Sequence, residues 1–373
     1  MKWSVLIMSP KEQFIKCVLC VLLYLIVCSL LIKLKNNFST SQYTNEKISD
    51  NLTSNTSIKK HYGSTTFKRI KQSVNSQIAI LQRDERNGES LNLKESAAIL
   101  QKISDMCLNK NLQTPLISRH FLYSQRHKSL YCWIRKAAST SLTKLFSDMN
   151  NRSVGRDYYR EVDFLAPKRL YELQRVKNDK SIFKFMIVRH PFERLVSSYR
   201  DRIEDNTKYT AQAWIYAKKI FYVTRPELFR SNSTAGNFFK RIFTADKRLK
   251  EVPTFREFIQ WLLQSSDVDD VHWNHYYTHC GVCNINYNYV LKLDDYTFGE
   301  INYVFSKFGL DKSKVYFPNL ERTRNGVTDY DTTCKYFRSL TKSMIFKLYD
   351  RYKTDFEMYS YSPRKYMFCT NVE

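Results

Sequence analysis

The chain has 373 residues, which is enough for one large domain together with a membrane anchor and a stem. Hydrophobic residues make up 43% of it, so a sizeable core can form. The formal net charge of +24 indicates an anionic partner, and nucleic acids and acidic polysaccharides are the two main classes. Composition excludes neither class, so the rest of the sequence has to decide between them.

The N-terminal segment is apolar enough to span a membrane. Residues 14–33 are interrupted only by Lys16, Ser29 and the final Lys33, and their length is close to the ~20 residues of a spanning helix. A cleaved signal peptide is the alternative, but its apolar core would be long and no small-residue cleavage site follows. We therefore predict four segments: a cytoplasmic tail (1–13), a transmembrane signal-anchor (14–33), a luminal stem (34–105) and a folded domain (106–373).

Glycosylation motifs favour a luminal location for everything after the anchor. Five sequons are present, and three of them fall in the predicted stem. Their asparagines are Asn37, Asn51, Asn55, Asn151 and Asn232. A luminal domain argues against nucleic acid as the partner.

The cysteines agree with an oxidising compartment. Three of the nine lie in the anchor, and an even number, six, remains for disulfides. The six are Cys107, Cys132, Cys280, Cys283, Cys334 and Cys369. Cys280 and Cys283 form a CxxC pair that could be half of a metal site, but no second CxxC and no HxxxH completes it. We predict structural disulfides and no metal, and the pairing stays open.

Hydrophobic periodicity predicts strands that alternate with helices. Residues 36–75 read as a flexible stem, while 76–106 have helical spacing and either pack onto the domain or form a stem helix. Strands are predicted at Ser129–Ile134, Phe183–Val188 and Tyr287–Leu293. Helices are predicted at Thr140–Met149, Pro167–Val176, from Pro191 onward, and at 208–223, 234–243, 254–264, 296–308 and 333–358. This order indicates an α/β fold with a mainly parallel sheet flanked by helices.

The first loop, residues 135–141, joins the first predicted strand to a helix. Small residues there leave backbone N–H groups open at the helix start, where the helix dipole favours an anion. Lys136 adds a point charge, and Ser139, Thr140 and Ser141 add hydroxyls. The alternative is an ordinary helix N-cap made by Ser139 or Thr140. No GxxxxGK[ST] motif is present, so the pattern suits a single phosphate group rather than ATP hydrolysis.

The second loop, residues 189–197, follows the second predicted strand. Arg189 can bind a phosphate through two parallel hydrogen bonds, and Ser197 can add a hydroxyl. The alternative is a solvated basic helix. Ligands of open α/β sheets lie beyond the carboxyl ends of the strands, so both loops are expected to line one crevice.

Together the loops resemble those of the Golgi carbohydrate sulfotransferases, in particular the chondroitin/dermatan 4-O- and HNK-1-type enzymes. Arg135-Lys-Ala-Ala-Ser-Thr-Ser141 resembles the family's 5′-phosphosulfate loop, although Arg135, Ser139 and Ser141 stand where Pro, Cys and Asn are usual. Arg189-His-Pro-Phe-Glu-Arg-Leu-Val-Ser197 closely matches the 3′-phosphate site. Further similarities follow in the family's order. These are His127–Cys132, Asp270–Trp273, Cys280–Cys283 and Leu348–Phe356.

The resemblance implies a P-loop-like sulfotransferase fold and 3′-phosphoadenosine 5′-phosphosulfate (PAPS) as the donor, without a metal. It assigns Lys136 to the bridging oxygen and the residues around it, Arg135, Ala137, Ala138, Ser139, Thr140 and Ser141, to the 5′ end. Arg189, Arg194 and Ser197 are assigned to the 3′-phosphate. His272 is predicted as the general base, with a structural His beside Trp273 as the alternative. The carboxylates Asp157, Glu161 and Asp163 are the next candidates for the base. The segment Arg322–Gly326 is predicted to close over the nucleotide or contact the acceptor, or else to be a solvated loop.

The predicted function is sulfuryl transfer to a hydroxyl of an acidic glycan, of chondroitin/dermatan type, by a single-pass Golgi membrane protein with a luminal domain. Two alternatives stay open: a catalytically inactive glycan-binding relative, and a protein-tyrosine sulfotransferase.

Overall fold

The structure is a computed structural model. It describes residues 93–154, 158–229, 240–265, 269–294, 298–310 and 326–370, together with residues 72, 75, 76, 78 and 79. The predicted tail and anchor and most of the predicted stem lie outside the described residues. Within them, no helix has the length and apolar character that crossing a membrane requires.

The core of the domain is a four-stranded mixed sheet. Its strands are β1 (Phe121–Ser124), β2 (Ser129–Cys132), β3 (Phe183–Val188) and β4 (Tyr289–Lys292), in the spatial order β1-β2-β3-β4. β2, β3 and β4 run parallel, whereas β1 pairs antiparallel with β2. Buried residues dominate the three parallel strands, as expected for a sheet covered on both faces.

Helices surround the sheet. They are α1 (Leu93–Asn109), α2 (Ser139–Met149), α3 (Tyr158–Leu165), α4 (Leu170–Asn178), α5 (Pro191–Tyr199), α6 (Ala211–Thr224), α7 (Phe255–Gln264), α8 (Tyr276–Cys280), α9 (Phe298–Ser306), α10 (Tyr330–Phe337), α11 (Lys342–Met358) and α12 (Arg364–Met367). A π-helical turn, Arg200–Glu204, continues α5. Pro191 begins α5 as predicted, because its fixed φ suits a first helical residue.

The predicted α/β class is confirmed, and the three predicted strands lie where the sequence placed them. Two elements differ from the prediction. The predicted helix 333–358 is divided into α10 and α11, because the Thr341 side chain accepts a hydrogen bond from the amide of Met344 and begins a new helix. β1 was not predicted; it is a short antiparallel edge strand. Most of the predicted helix 234–243 lies outside the described residues.

Helix α1 belongs to the same core as the sheet. Leu93, Ile99 and Leu100 are almost fully buried in the cluster that surrounds the strands. The Ser96 hydroxyl also accepts a hydrogen bond of 3.0 Å from the amide of Val290 in β4. For this part of 76–106, the structure therefore supports packing onto the domain rather than a separate stem helix.

All six cysteines outside the predicted anchor form disulfides. The pairs are Cys107–Cys283, Cys132–Cys280 and Cys334–Cys369. The prediction of disulfides at the CxxC motif is thus confirmed, since its two cysteines join two different partners. Cys132–Cys280 ties the carboxyl end of β2 to α8, which brings α8 beside the edge of the sheet where both loops lie.

Candidate functional site

The two predicted loops meet at the carboxyl edge of the parallel strands. The first loop follows β2, the second follows β3, and these strands are direct neighbours. Two arginines of the second loop hydrogen-bond to backbone oxygens of the first. Arg189 Nη1 lies 3.5 Å from the Lys136 carbonyl, and Arg194 Nε lies 3.1 Å from the Arg135 carbonyl. The two loops are therefore in direct contact, as expected if they share one ligand site.

The N-terminus of α2 has the geometry of an anion site rather than of a side-chain cap. Its N-cap residue is Ala138, whose side chain cannot accept a hydrogen bond. Lys136 and Ala138 both adopt left-handed φ values, 66° and 58°, which are costly for residues other than glycine and tend to occur at functional sites. The alternative of an N-cap by Ser139 or Thr140 is therefore wrong, because both residues lie inside the helix.

Lys136 is held by a carboxylate that the sequence analysis did not single out. Its Nζ lies 3.1 Å from Asp201 Oδ2, and both side chains are about nine-tenths buried. Asp201 belongs to the π-helical turn after α5 and also pairs with Arg202 at 2.7 Å. The neighbouring cations keep the pKa of Asp201 below its ordinary value despite its burial. Short π-helical segments are frequent at functional sites.

Arg189 lies at the junction of the two loops and the segment before α10. Besides its bond to the first loop, its Nη2 donates to the Thr328 carbonyl, and its Nε lies 3.6 Å from Glu193. A guanidinium has five N–H donors, so these contacts leave donors for a ligand. Tyr276 of α8 fixes the backbone at this point, because its hydroxyl donates to the Arg189 carbonyl at 2.7 Å.

Ser197 and Arg194 differ in what they offer a ligand. The Ser197 hydroxyl makes no hydrogen bond with any described residue, although Ser197 is only 4% exposed. Arg194 is 3% exposed, and its three nitrogens donate to the carbonyls of Arg135, Asn274 and Val271. Its guanidinium also lies over the Tyr276 ring. The position of Arg194 therefore fits a structural role that fixes the first loop, rather than direct contact with the predicted phosphate.

Helix α5 is buried along its whole length. Glu193 and Arg194 of α5, and Arg200 directly after it, are each 3–4% exposed, although they are charged. The alternative of a solvated basic helix is therefore wrong. Charged residues that are this buried need partners, and Arg200 finds them in Thr328 and the backbone beside it.

His272 forms a buried dyad with Asp270. Its Nδ1 lies 2.5 Å from Asp270 Oδ1, and the same carboxylate accepts its backbone N–H at 3.0 Å. Burial lowers the pKa of His272 to about 4, against the opposing effect of Asp270. The ring is thus neutral at physiological pH and can accept a proton. Ser198 of α5 donates to the His272 carbonyl at 2.7 Å, which ties the dyad to the second loop.

The alternative bases are engaged elsewhere or are not described. Glu161 accepts two hydrogen bonds of 3.0 Å from Arg152, which hold its pKa below the ordinary value. Asp163 pairs with Arg119 on the exposed surface. Asp157 lies outside the described residues, as does Arg322–Gly326 except for Gly326. Among these predicted candidates, His272 therefore stays the first choice for the base, because Asp270 orients its ring.

Besides Asp201, sequence reasoning missed two further residues that shape the site. Tyr158 of α3 accepts hydrogen bonds from Trp133 and Thr143 and contacts Ser139 and Thr140 of α2; burial raises its pKa to about 12. No motif marks this tyrosine.

Asp355 is the second of these residues. It lies in the terminal Leu348–Phe356 similarity, and its carboxylate accepts the backbone N–H groups of Tyr276 and Tyr277 at the start of α8. The motif was recognised, but its role in fixing α8 required the tertiary structure.

His190 gives a testable pH effect. It caps α5 by accepting the Phe192 N–H, and burial lowers its pKa to about 3. The unfolded chain therefore binds a proton near pH 6.5 that the folded chain does not, so the free energy of unfolding falls as pH decreases below 6.5. In His190→Asn, which keeps a capping side chain, we expect the loss between pH 7 and 5 to be roughly 2 kcal/mol smaller than in the wild type. Urea unfolding at both pH values, with the disulfides intact, measures it; equal losses in the two proteins would contradict it.

The comparison with known proteins defines the class. A sequence profile described as "Sulfotransferase family" matches residues 119–362, which is more than half of the chain, so the protein belongs to the sulfotransferase family. The predicted family is thereby confirmed. No group of His, Cys, Asp and Glu that could hold a metal occurs in the part of the chain that the structure describes.

Its curated relatives are carbohydrate sulfotransferases. Carbohydrate sulfotransferase 11 of Mus musculus is 26% identical over 278 residues, covering 71% of this chain and 73% of the relative. Carbohydrate sulfotransferase 10 of Xenopus laevis is 26% identical over 301 residues, covering 74% and 78%. Carbohydrate sulfotransferase 9 of Homo sapiens is 25% identical over 256 residues, covering 66% and 54%. No solved structure matches the chain.

Proposed function

We propose that this protein transfers a sulfuryl group from PAPS to a hydroxyl of a glycan, and that the acceptor is a glycosaminoglycan of chondroitin/dermatan type. The observation that carries the proposal is the meeting of the two loops, since Arg189 and Arg194 both bond to the first loop's backbone. The names of the relatives support a carbohydrate acceptor.

The residues present suit a nucleotide with two separate phosphate groups. The uncapped start of α2 and Lys136 provide one cationic site, and Arg189 with Ser197 provides a second. Lys136 would stabilise negative charge on the leaving oxygen, and the N–H groups of 137–141 would orient the 5′ end. Arg194 would act indirectly, by holding the first loop in its shape.

His272 is proposed as the group that removes the proton of the acceptor hydroxyl. Asp270 bonds to Nδ1, which leaves Nε2 as the nitrogen that takes up the proton. The developing imidazolium would be stabilised by the same carboxylate. PAPS supplies the sulfuryl group and a good leaving phosphate, so the residues of the chain have to position both substrates and accept one proton.

We also propose that the domain is luminal, in a Golgi membrane protein of type II with the anchor at 14–33. The three disulfides support an oxidising compartment. Asn151, one of the five sequon asparagines, is exposed in the turn after α2 and is accessible for glycosylation.

A transfer assay with labelled PAPS and a panel of glycosaminoglycans and tyrosine peptides tests the function. We expect sulfate on chondroitin or dermatan, with none on peptides. Transfer to peptides alone would favour a protein-tyrosine sulfotransferase, and glycan binding without nucleotide binding or transfer would favour an inactive relative.

Arg189→Ala tests the donor site within the same proposal. The wild type should bind adenosine 3′,5′-bisphosphate more tightly than adenosine 5′-phosphate, and the variant should lose most of that preference, by about 10–100-fold. Arg175→Ala removes an exposed arginine of α4 and should leave the preference unchanged. An unchanged preference in Arg189→Ala would contradict the assignment of Arg189.

A further inference from the structure

The guanidinium of Arg135 is held by aromatic rings rather than by a carboxylate of the described residues. Its guanidinium lies 4.4 Å from the centre of the Trp133 ring and 5.7 Å from that of Tyr159. No described carboxylate lies within ion-pair distance of it, and its buried Nε has no hydrogen-bond partner. Aromatic faces therefore orient this cation without neutralising its charge.

The other arginines of the crevice are engaged by oxygen atoms. Arg194 is bound by three backbone carbonyls, Arg200 by Thr328 and its neighbours, and Arg189 by Glu193 and two carbonyls. These contacts explain how three cations are retained in a buried setting. The Arg135 side chain instead hydrogen-bonds to the neutral phenol of Tyr159, and among the described residues no carbonyl or carboxylate engages it, although it is only partly exposed. A partly buried guanidinium without an anion is a costly arrangement that an anionic ligand would relieve.

The backbone of Arg135 lies close to that of the dyad, because Arg194 hydrogen-bonds to both the Arg135 and the Val271 carbonyls, and Val271 stands between Asp270 and His272. Burial lowers the pKa of both Arg135 and His272; the charge of Arg135 adds to the lowering at His272, and Asp270 opposes it at both groups. By contrast, the side chain of the next residue, Lys136, is directed to Asp201. Adjacent residues of the first loop thus face different partners.

We propose that Arg135 binds an anionic group of the acceptor glycan, a carboxylate or a sulfate ester on the sugar that is modified or on its neighbour. The inference rests on the proposed function and assigns Arg135 to the acceptor rather than to the 5′ end of the donor. The guanidinium edge suits such groups because it can form two parallel hydrogen bonds. Tyr159, which is 38% exposed beside it, offers a ring against which the sugar packs.

The experiment compares the wild type with Arg135→Gln, Arg135→Lys and the control Arg126→Gln. Arg126 is exposed in the turn between β1 and β2, at the opposite edge of the sheet, so its replacement removes the same charge away from the crevice. The acceptors are an unmodified acidic oligosaccharide, its carboxyl-reduced form and its desulfated form. Acceptor KM and kcat are measured at saturating PAPS, together with direct binding of the oligosaccharide and of adenosine 3′,5′-bisphosphate.

We expect Arg135→Gln to raise the KM and the dissociation constant for the acidic acceptor about 10–100-fold, with nucleotide binding unchanged. Arg135→Lys should recover part of the loss, and Arg126→Gln should match the wild type. On one of the two modified acceptors, the KM of Arg135→Gln should equal that of the wild type. The group that this acceptor lacks, carboxylate or sulfate, is the one that the guanidinium binds.

Weaker nucleotide binding in Arg135→Gln, with an unchanged acceptor KM, would overturn the inference and return Arg135 to the donor site. Equal acceptor affinities of Arg135→Gln and wild type would overturn it as well. Direct binding of the oligosaccharide tests the role of Arg135 separately from the proposed sulfate transfer. If the wild type transfers no sulfate but Arg135→Gln still loses glycan binding, the proposed function fails and the inference stands.

Discussion

Lys136→Ala is expected to lower kcat for sulfate transfer by about 10²–10³-fold, which is the usual cost of removing a group that stabilises charge on a reacting oxygen. Folding should be retained. Asp201, which would lose its lysine partner, still pairs with Arg202 at 2.7 Å and lies 3.6 Å from Lys208. The measurement is the initial rate with labelled PAPS at saturating acceptor, with the melting temperature recorded for each protein.

Lys144→Ala is the matched control for this experiment. Lys144 lies on α2, the helix that begins after the first loop, and forms an exposed i,i+4 pair with Asp148. Exposed pairs of this kind contribute at most about 1 kcal/mol to stability, so the control should fold and transfer sulfate like the wild type. A Lys136→Ala protein that retains a kcat within a few-fold of the wild type would remove Lys136 from the catalytic site.

His272→Gln is expected to lower kcat by about 10²–10⁴-fold, the usual contribution of a positioned general base. Because burial lowers the pKa of His272 to about 4, the ring of the wild type stays neutral throughout the range from pH 6 to 8. The kcat/KM of the wild type should therefore not decrease between pH 7.5 and 6, as it would with a base of ordinary pKa near 6.5. The measurement is the initial rate of the wild type from pH 6 to 8, together with the initial rate of His272→Gln at pH 7.5.

His127→Gln is the control for the loss of an imidazole. His127 lies in the turn before β2, and its ring bonds to the Phe308 carbonyl at 2.8 Å, away from the crevice. The alternative that His272 is only structural predicts a different result. In that case His272→Gln would lower the melting temperature while the folded fraction kept the kcat of the wild type, and a base would have to be sought among the remaining carboxylates.

The two loops could be predicted from the sequence because each is a continuous segment with a strong local pattern. A run of buried residues ends in Arg135-Lys136 or Arg189-His190, and a helix follows at once. Such strand–loop–helix units are encoded by neighbouring residues, which is why α2 and α5 begin within one residue of their predicted positions. The order of strands and helices also indicated that both loops would share one edge of the sheet.

The partners of the charged residues could not be predicted in the same way. Asp201 is 65 residues from Lys136 in the chain, and the carbonyls that bind Arg194 come from the first loop and from 271–274. Sequence similarity therefore assigned Arg194 to the nucleotide together with Arg189. In the fold, burial occupies all of the nitrogens of Arg194 with backbone oxygens.

The sequence by itself thus determined the family, the α/β class, the two loops and the candidates Lys136, Arg189 and His272, because these depend on residues that are close together in the chain. The tertiary structure decided which of these side chains are open to a ligand and which are engaged by the protein. It paired Lys136 with Asp201, bound Arg194 to three carbonyls and placed the Arg135 guanidinium over the rings of Trp133 and Tyr159. The reason is physical: the fate of a charged side chain depends on its burial and on the oxygens around it, and both are set by segments that only folding brings together.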